Sequence, residues 1–443
     1  MGVTHYDQLT CDMTIAMSLR KVPYQPLREN LNVNDITAYH AIQSIEKSLR
    51  YLVDINCSRE DRNLISKSHN LTVYVMMLDK AIPGFADKHQ SLVDLSPALT
   101  RSNALRYGRA FITEDHLDYL IATANQLNSE AKRAFMEKHP DRAENREFTI
   151  EYMKNQREIM EDNPSWTKRD FGAKDKAFKP EPKTLHDLQI DLMTAQMILN
   201  SKVLENNPMR NCYAAYHAGQ CIEKCLNYYA QVTCKDSDYR QVATTHDIGE
   251  VLEKIKQVNP RFEKAHKFLC EKTDVFTRLN SARYGTFRVE DSSVNSFMKI
   301  ARDLYKEIEK IYTRLYPDAE ARFQYMKDVH DSREDIVDKT KRQMLVSSFR
   351  ESYIAEVANY MNSSMKEVES YIPVYMQDAE KIAKKTHVIH PPVSRNAQEE
   401  AEQKQTSFGQ EEKGSEISKK EKSPSVKKAS ESKGSPPSDF GNR

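Results

Sequence analysis

Two stretches of the chain concentrate side chains that can move protons or hold anions. The first carries His40, Gln43, Glu46 and Lys47, and the second repeats them as His217, Gln220, Glu223 and Lys224. A further matched pair, His69 and His246, follows Ser68 and Thr245, which read as helix N-caps. Each ring then falls in a first helical turn, where the helix dipole disfavours imidazolium. Such a neutral ring can accept a proton or bind a ligand, or it packs between helices. Glu46 and Glu223 flank an apolar stripe, and a partly buried carboxylate needs a partner. Arg101 and Arg106 supply candidates for Glu46, as do Arg278 and Arg283 for Glu223. The same arginines, with Tyr107, could instead face a phosphate. His217, Cys221 and Cys225 share a helix face, but the first stretch has His40, Ser44 and Ser48 there and no CxxC occurs. Neither a metal site nor a cofactor is expected.

The elements that position these residues read as helices. The 443 residues suggest two or three domains of ordinary size. Mean hydropathy is −0.74 and charged residues make up 30%, and no apolar run is long enough to span a bilayer. The opening residues lack the apolar core of a secretory signal, so a cytoplasmic location is expected. Net charge is +1, so any nucleic-acid binding must use a local patch. Only 11 glycines occur, with no GxGxxG or GxxxxGK[ST], which argues against Rossmann and P-loop sites. Seven cysteines read as reduced thiols rather than a disulfide framework.

An internal repeat organises the chain. Residues 38–51 (AYHAIQSIEKSLRY) match 215–228 (AYHAGQCIEKCLNY) at ten of fourteen positions, offset by 215 − 38 = 177. The same offset carries Pro83 onto Pro260 and Thr100–Gly108 onto Thr277–Gly285. Upstream, Leu9–Met13 resembles Leu188–Leu192 with a two-residue shift. In the first copy Asn34 or Asp35 is expected to cap a helix whose stripe is Ala38, Ile42, Ile45, Leu49 and Leu52. In the second, Asn207 and Pro208 read as the start. A longer helix is expected after Pro83 and Pro260, ending at Gly108 and Gly285 in left-handed C′ positions. Pro97 should break or kink it in the first copy alone. The last helices span about 114–138 and 291–316. Expected boundaries are 1–138 for copy 1, 139–183 for a charged linker that is helical in its first half, to about Glu161, 184–316 for copy 2, 317–390 for a helical extension and 391–443 for a disordered tail. Within the linker, Lys168–Lys179 interleaves basic and aromatic residues, a pattern that an exposed linker or a single-stranded nucleic-acid contact can show.

The A-Y-H-A-x-Q-x-I-E-K-x-L helix, the [ST]-H helix start and the R-Y-G before the last helix resemble the HEPN domain, over about residues 8–138 and 184–316. The resemblance implies an all-α protein of two tandem four- or five-helix bundles that pair in cis. It implies modules that dimerise and bind RNA or nucleotide, often in defence, toxin–antitoxin or mobile-element systems. Many members are metal-independent RNases with an Arg-x4-6-His motif just before the final helix. Here that place holds Arg109 and His116 in copy 1, with Arg283 contributed by copy 2, whereas copy 2 has no histidine in the matching stretch. The chemistry is acid–base help from His and charge stabilisation by Arg. One-sided, it favours a binding module for RNA, nucleotide or a partner protein, with Arg101, Arg106, Arg278, Arg283, His69, His246, Glu46 and Glu223 as ligand residues. The alternatives are an endoribonuclease built on Arg109, His116 and Arg283, and a structural adaptor whose C-terminal helices dock a partner.

Overall fold

The computed structural model describes residues 6–371 apart from 22–26, 28, 66–67, 141–149, 163–183, 244 and 363–364. The Lys168–Lys179 stretch and the expected tail 391–443 lie outside the described residues. The chain is all-α. Among the described residues the β contacts are two isolated bridges, Phe111–Asp335 and Glu158–Arg288. Numbering helices of nine residues or more, copy 1 holds α1 (Tyr6–Lys21), α2 (Val33–Asn56), α3 (Leu71–Ala81), α4 (Gln90–Leu99) and α5 (Glu114–Lys138). Copy 2 holds α6 (Leu185–Asn200), α7 (Arg210–Thr233), α8 (Ile248–Val258), α9 (Thr273–Ala282) and α10 (Asp291–Leu315). Then come α11 (Ala319–Asp331), α12 (Ile336–Met344) and α13 (Ser347–Met361). The offset of 177 maps both ends of α2 onto α7, α3 onto α8 and α5 onto α10. The offset between α1 and α6 is 179, as the two-residue shift requires.

Several helix ends differ from expectation. The N-cap of α2 is Asn32, and Asp35 instead turns its carboxylate to the Ile112 N–H at 3.0 Å. Helix α7 starts at Arg210, and Asn207 Oδ1 accepts the Met209 N–H at 2.9 Å. The caps of α3 and α8 are Asn70 and Asp247. Ser68 and Thr245 accept the N–H of those cap residues at 3.1 Å each, in Asx/ST-type turns. His69 and His246 therefore precede the helices, and the dipole argument no longer applies to them. The long helix after each proline is broken into pieces. In copy 1, Pro97 leaves the Val93 carbonyl without its usual donor, the Ser96 hydroxyl donates to it at 3.1 Å, and α4 stops at Leu99. In copy 2 the break falls earlier, at Lys272, and α9 runs on to Ala282. Gly108 and Gly285 are left-handed, with φ of 65° and 68°.

The repeat continues past the bundles, and the segment after each bundle crosses to the other copy. After α5 the chain lays Glu158 against Arg288 of copy 2. After α10 it lays Asp335 against Phe111 of copy 1. The positions are equivalent: 158 + 177 = 335 and 111 + 177 = 288. Glu158 accepts the Ser293 hydroxyl at 2.7 Å at the start of α10, and Asp335 meets His116 at 3.0 Å and the Thr113 N–H at 2.8 Å at the start of α5. Each arm thus supplies the carboxylate that caps the other copy's last helix. The arms are held by matched arginines. Arg278, fully buried, donates to the Glu161 carbonyl at 3.1 Å, and Arg101 donates to Gln343 and lies over Phe349.

Two apolar cores result, and both are shared. Cys11, Ile15 and Leu19 of α1, with Ile36 and Tyr39 of α2, belong to the copy 2 core. Leu9, Met13 and Ala16, on the other side of α1, belong to the copy 1 core. That second core also takes Ile336, Val337 and Met344 of α12 and Tyr353, Ile354, Val357 and Met361 of α13. The extension expected to offer a docking face spends its apolar side on copy 1. Met326 of α11 joins copy 2 instead. No helix among the described residues is long and apolar enough to cross a membrane.

Glycine substitutions separate backbone strain from packing here. A Cβ at Gly108 would stand 2.5 Å from Asp187 Oδ1, whereas one at Gly84 (φ 83°) would meet nothing within 4 Å. Gly84→Ala is expected to cost only the left-handed strain, about 1–2 kcal/mol, in urea unfolding. Gly108→Ala is expected to cost clearly more, because it also displaces a buried, ion-paired carboxylate of the other copy.

Candidate functional site at the pseudo-twofold axis

Helix α2 is buried on every side from Asp35 to Leu49, and α7 from Cys212 to Ala230. The apolar stripe accounts for one face of each. The opposite face carries His40, Gln43, Glu46 and Lys47, or their copy 2 partners; the two helices touch there through His40–His217 and Tyr39–Tyr216, and α1 or α6, the R-Y-G elements and the histidines before α3 and α8 meet the rest. Buried polar groups must then be satisfied within the interface.

Most are, in mirrored order. His40 and His217, fully buried, meet Nε2 to Nε2 at 2.9 Å. The His40 Nδ1 faces Asp12 at 2.8 Å, and the His217 Nδ1 faces Asp191 at 2.7 Å. Lys47 pairs with Asp12 at 2.5 Å and Lys224 with Asp191 at 2.6 Å. The Tyr39 and Tyr216 hydroxyls meet at 2.7 Å on the same axis. Burial by itself would raise the Asp12 and Asp191 carboxyls. Lys47 and His40, or Lys224 and His217, outweigh it and hold both well below the usual carboxylate range. Burial lowers His217 to about 4 despite its bond to Asp191.

The R-Y-G elements close on this seam from both sides. Arg106 lies 5.1 Å and Arg283 4.7 Å from the centre of the Tyr216 ring, and 5.9 Å and 5.7 Å from that of Tyr39. Arg106 donates to Asn280 Oδ1 at 3.1 Å, and Arg283 donates to the Tyr216 and Tyr284 hydroxyls at 2.7 Å each. Burial would lower the Arg106 guanidinium, but Tyr107, Tyr216 and Glu223 hold it charged. Among the described residues neither arginine has a carboxylate within salt-bridge distance. Their Nε atoms, and the Oε1 atoms of Gln43 and Gln220, are buried without a hydrogen-bond partner. Tyr107 reaches His246 of copy 2, with its hydroxyl 3.3 Å from Nδ1, and Lys47 of copy 1 lies 5.7 Å from the centre of the Tyr284 ring.

The other expected ligand residues sort by position. Glu46 bonds His69 at 2.9 Å and Arg50 at 2.8 Å, and Glu223 bonds His246 at 2.8 Å. These pairs replace the expected ones with Arg101, Arg106, Arg278 and Arg283. The Glu carboxylates are buried, whereas the His69 side chain is 66% exposed and that of His246 32%. The Glu–His pairs therefore lead from the seam to the surface. Arg101 and Arg278 do not belong to it, since they bind the exchanged arms.

The expected catalytic trio is divided in the same way. Arg283 lies on the axis. Arg109 reaches the Tyr107 ring, 5.7 Å from its centre. His116 is engaged by Asp335 and Thr113 at the start of α5. Its copy 2 counterpart is Ser293, which makes the equivalent bond to Glu158. The one-sidedness of the motif thus has a structural cause, because either a hydroxyl or an imidazole can meet the capping carboxylate. His116, Asp335 and Asp338 also stand close enough to hold a cation. Asp335 is already engaged by Thr113, Val337 and Asp338 backbone N–H groups.

One matched pair escaped the sequence reading. His89 pairs with Glu130 at 3.0 Å and His266 with Glu307 at 2.9 Å, each ring tilted against a phenylalanine, Phe85 or Phe262. The offset of 177 links every member, but no run of identical neighbours draws attention to them. No protein-family model, curated protein or solved structure matches this chain significantly.

Three substitutions test the assignment. Asp191→Ala leaves Lys224 buried without its carboxylate and His217 without its acceptor. It is expected to cost about 3–5 kcal/mol in chemical denaturation. His116→Ser copies the arrangement of copy 2 and is expected to change stability by less than about 1 kcal/mol, whereas Asp335→Ala should cost about 1–2 kcal/mol through lost capping.

Proposed function

We propose that this protein is a tandem HEPN-like module that binds a phosphate-bearing ligand, RNA or nucleotide, at its internal pseudo-twofold axis without cleaving it. One observation carries the reading: Arg106 and Arg283, one from each copy, converge on the Tyr39 and Tyr216 rings, and no carboxylate of the described residues lies within salt-bridge distance of either. Two guanidinium groups in a largely buried setting repel each other and have lost hydration. An anion that bridges them removes both penalties, and phosphate matches the guanidinium fork. The half-buried Tyr107 and Tyr284 flank the pair and offer faces for a base or ribose. Asn280 and Gln220, bonded to each other beside Arg106, add polar atoms. Against nuclease action, His116 is tied into a helix cap, and neither it nor a copy 2 equivalent joins the arginines.

The test is equilibrium binding of a fluorescent single-stranded RNA and of ATP to the full chain. Arg106→Ala with Arg283→Ala is expected to weaken binding at least tenfold, with helicity retained and a shallower salt dependence. Arg101→Ala, which touches only the extension, should leave affinity unchanged. His116→Ala should alter neither binding nor the absence of cleavage. Unchanged affinity in the double arginine variant, or chelator-resistant RNA cleavage abolished by His116→Ala, overturns the reading.

A further inference from the structure

The hydrogen bonds of the axis can be counted in protons. The row Asp12–His40–His217–Asp191 contains three contacts: Oδ1 to Nδ1 at 2.8 Å, Nε2 to Nε2 at 2.9 Å, and Nδ1 to Oδ1 at 2.7 Å. Each contact needs one hydrogen. Two ionised carboxylates and two neutral imidazoles supply two. An ionised carboxylate can only accept, so each takes the N–H of the Nδ1 that faces it, and with only two protons the two Nε2 lone pairs would point at each other at 2.9 Å, too close for a third group to stand between. We infer that the folded protein binds one additional proton on the Nε2–Nε2 contact, and that this shared proton is a pH-sensitive latch between the two copies.

The charges around the pair permit this. Asp12 from α1 and Lys47 from α2 compensate each other, as do Asp191 from α6 and Lys224 from α7. Tyr39, Tyr213 and Tyr216 face the row with their hydroxyls, and Arg106 and Arg283, both over the Tyr216 ring, are the remaining nearby cations. A single proton is therefore tolerated. A second would place two imidazolium rings face to face beside Arg106, and the lowering of His217 to about 4 agrees with its exclusion.

The sign of the pH dependence follows. In the unfolded chain both histidines titrate near 6.5. Above that pH the unfolded chain has released both protons while the folded pair still holds one. Stability then falls as pH rises, by up to about tenfold in the unfolding constant per pH unit. Between about 6.5 and 4 the unfolded chain holds two protons and the folded pair one, so stability falls on acidification too. The interface is tightest near pH 6.5.

The comparison is urea unfolding of the full chain from pH 5 to 9, wild type against His217→Gln. The glutamine amide presents a permanent N–H to His40 Nε2, so no additional proton is needed. The wild type is expected to lose stability above pH 7 more steeply than the variant, by the slope of one proton. Equal slopes overturn the inference. Nitrogen-15 NMR of the histidine rings in the wild type tests the same point without a variant. Among rings protected from solvent, one proton shared over two Nε2 atoms at pH 7 is expected, and two unprotonated Nε2 signals overturn the latch.

Discussion

The structure depends on a row of buried polar contacts across a pseudo-twofold axis. Asp12, His40, His217 and Asp191 lie in line, with Lys47 and Lys224 closing the charge at either end. None of these groups is stable in a protein interior by itself. Each is held because the other copy supplies its partner or covers the helix that carries it. The two halves are therefore a single object: separating them would open the His40–His217, Tyr39–Tyr216 and Lys47–Tyr213 contacts and leave each His40–His217 lone pair or N–H without its partner. Apolar burial supplies most of the stability in both cores, and the polar row fixes the register in which α2 and α7 meet.

The exchange of arms reinforces that unity. Glu158 and Asp335 cap the last helix of the opposite copy, and Arg278 and Arg101 fasten the arms. A duplicated bundle that paired only through α2 and α7 would have two small, separate cores. Here α1 lends one face to each core and α13 completes the first. The two R-Y-G elements are consequently held close to the axis, where Gly108 and Gly285 let the chain turn against the first helix of the other copy. The convergence of Arg106 and Arg283 is a product of this packing, and among the described residues neither has a carboxylate within salt-bridge distance.

His116 shows how spacing can mislead. An arginine and a histidine before the final helix match a nuclease pattern, yet the ring serves a cap that Ser293 serves in the other copy. Spacing reports proximity in the chain. Whether a histidine faces a substrate or a carboxylate depends on what the rest of the fold brings against it, in this case an arm more than two hundred residues away.

The sequence by itself determined the helical architecture, the duplication and its offset, because helix periodicity and repeated identities are local properties of the chain. It also marked His40, Glu46, His69, Arg106 and their counterparts as unusual. It left open which groups meet. The apolar stripe of α2 indicated one buried face, and only the second copy explains why the polar face is buried too. The Glu46–His69 pairing, the caps at Asn70 and Asp247 and the diversion of Arg101 and Arg278 to the arms rest on contacts between distant segments. The same is true of the histidine pair: each ring is repeated in the sequence, but a hydrogen bond across a twofold axis exists only once the two copies are packed together.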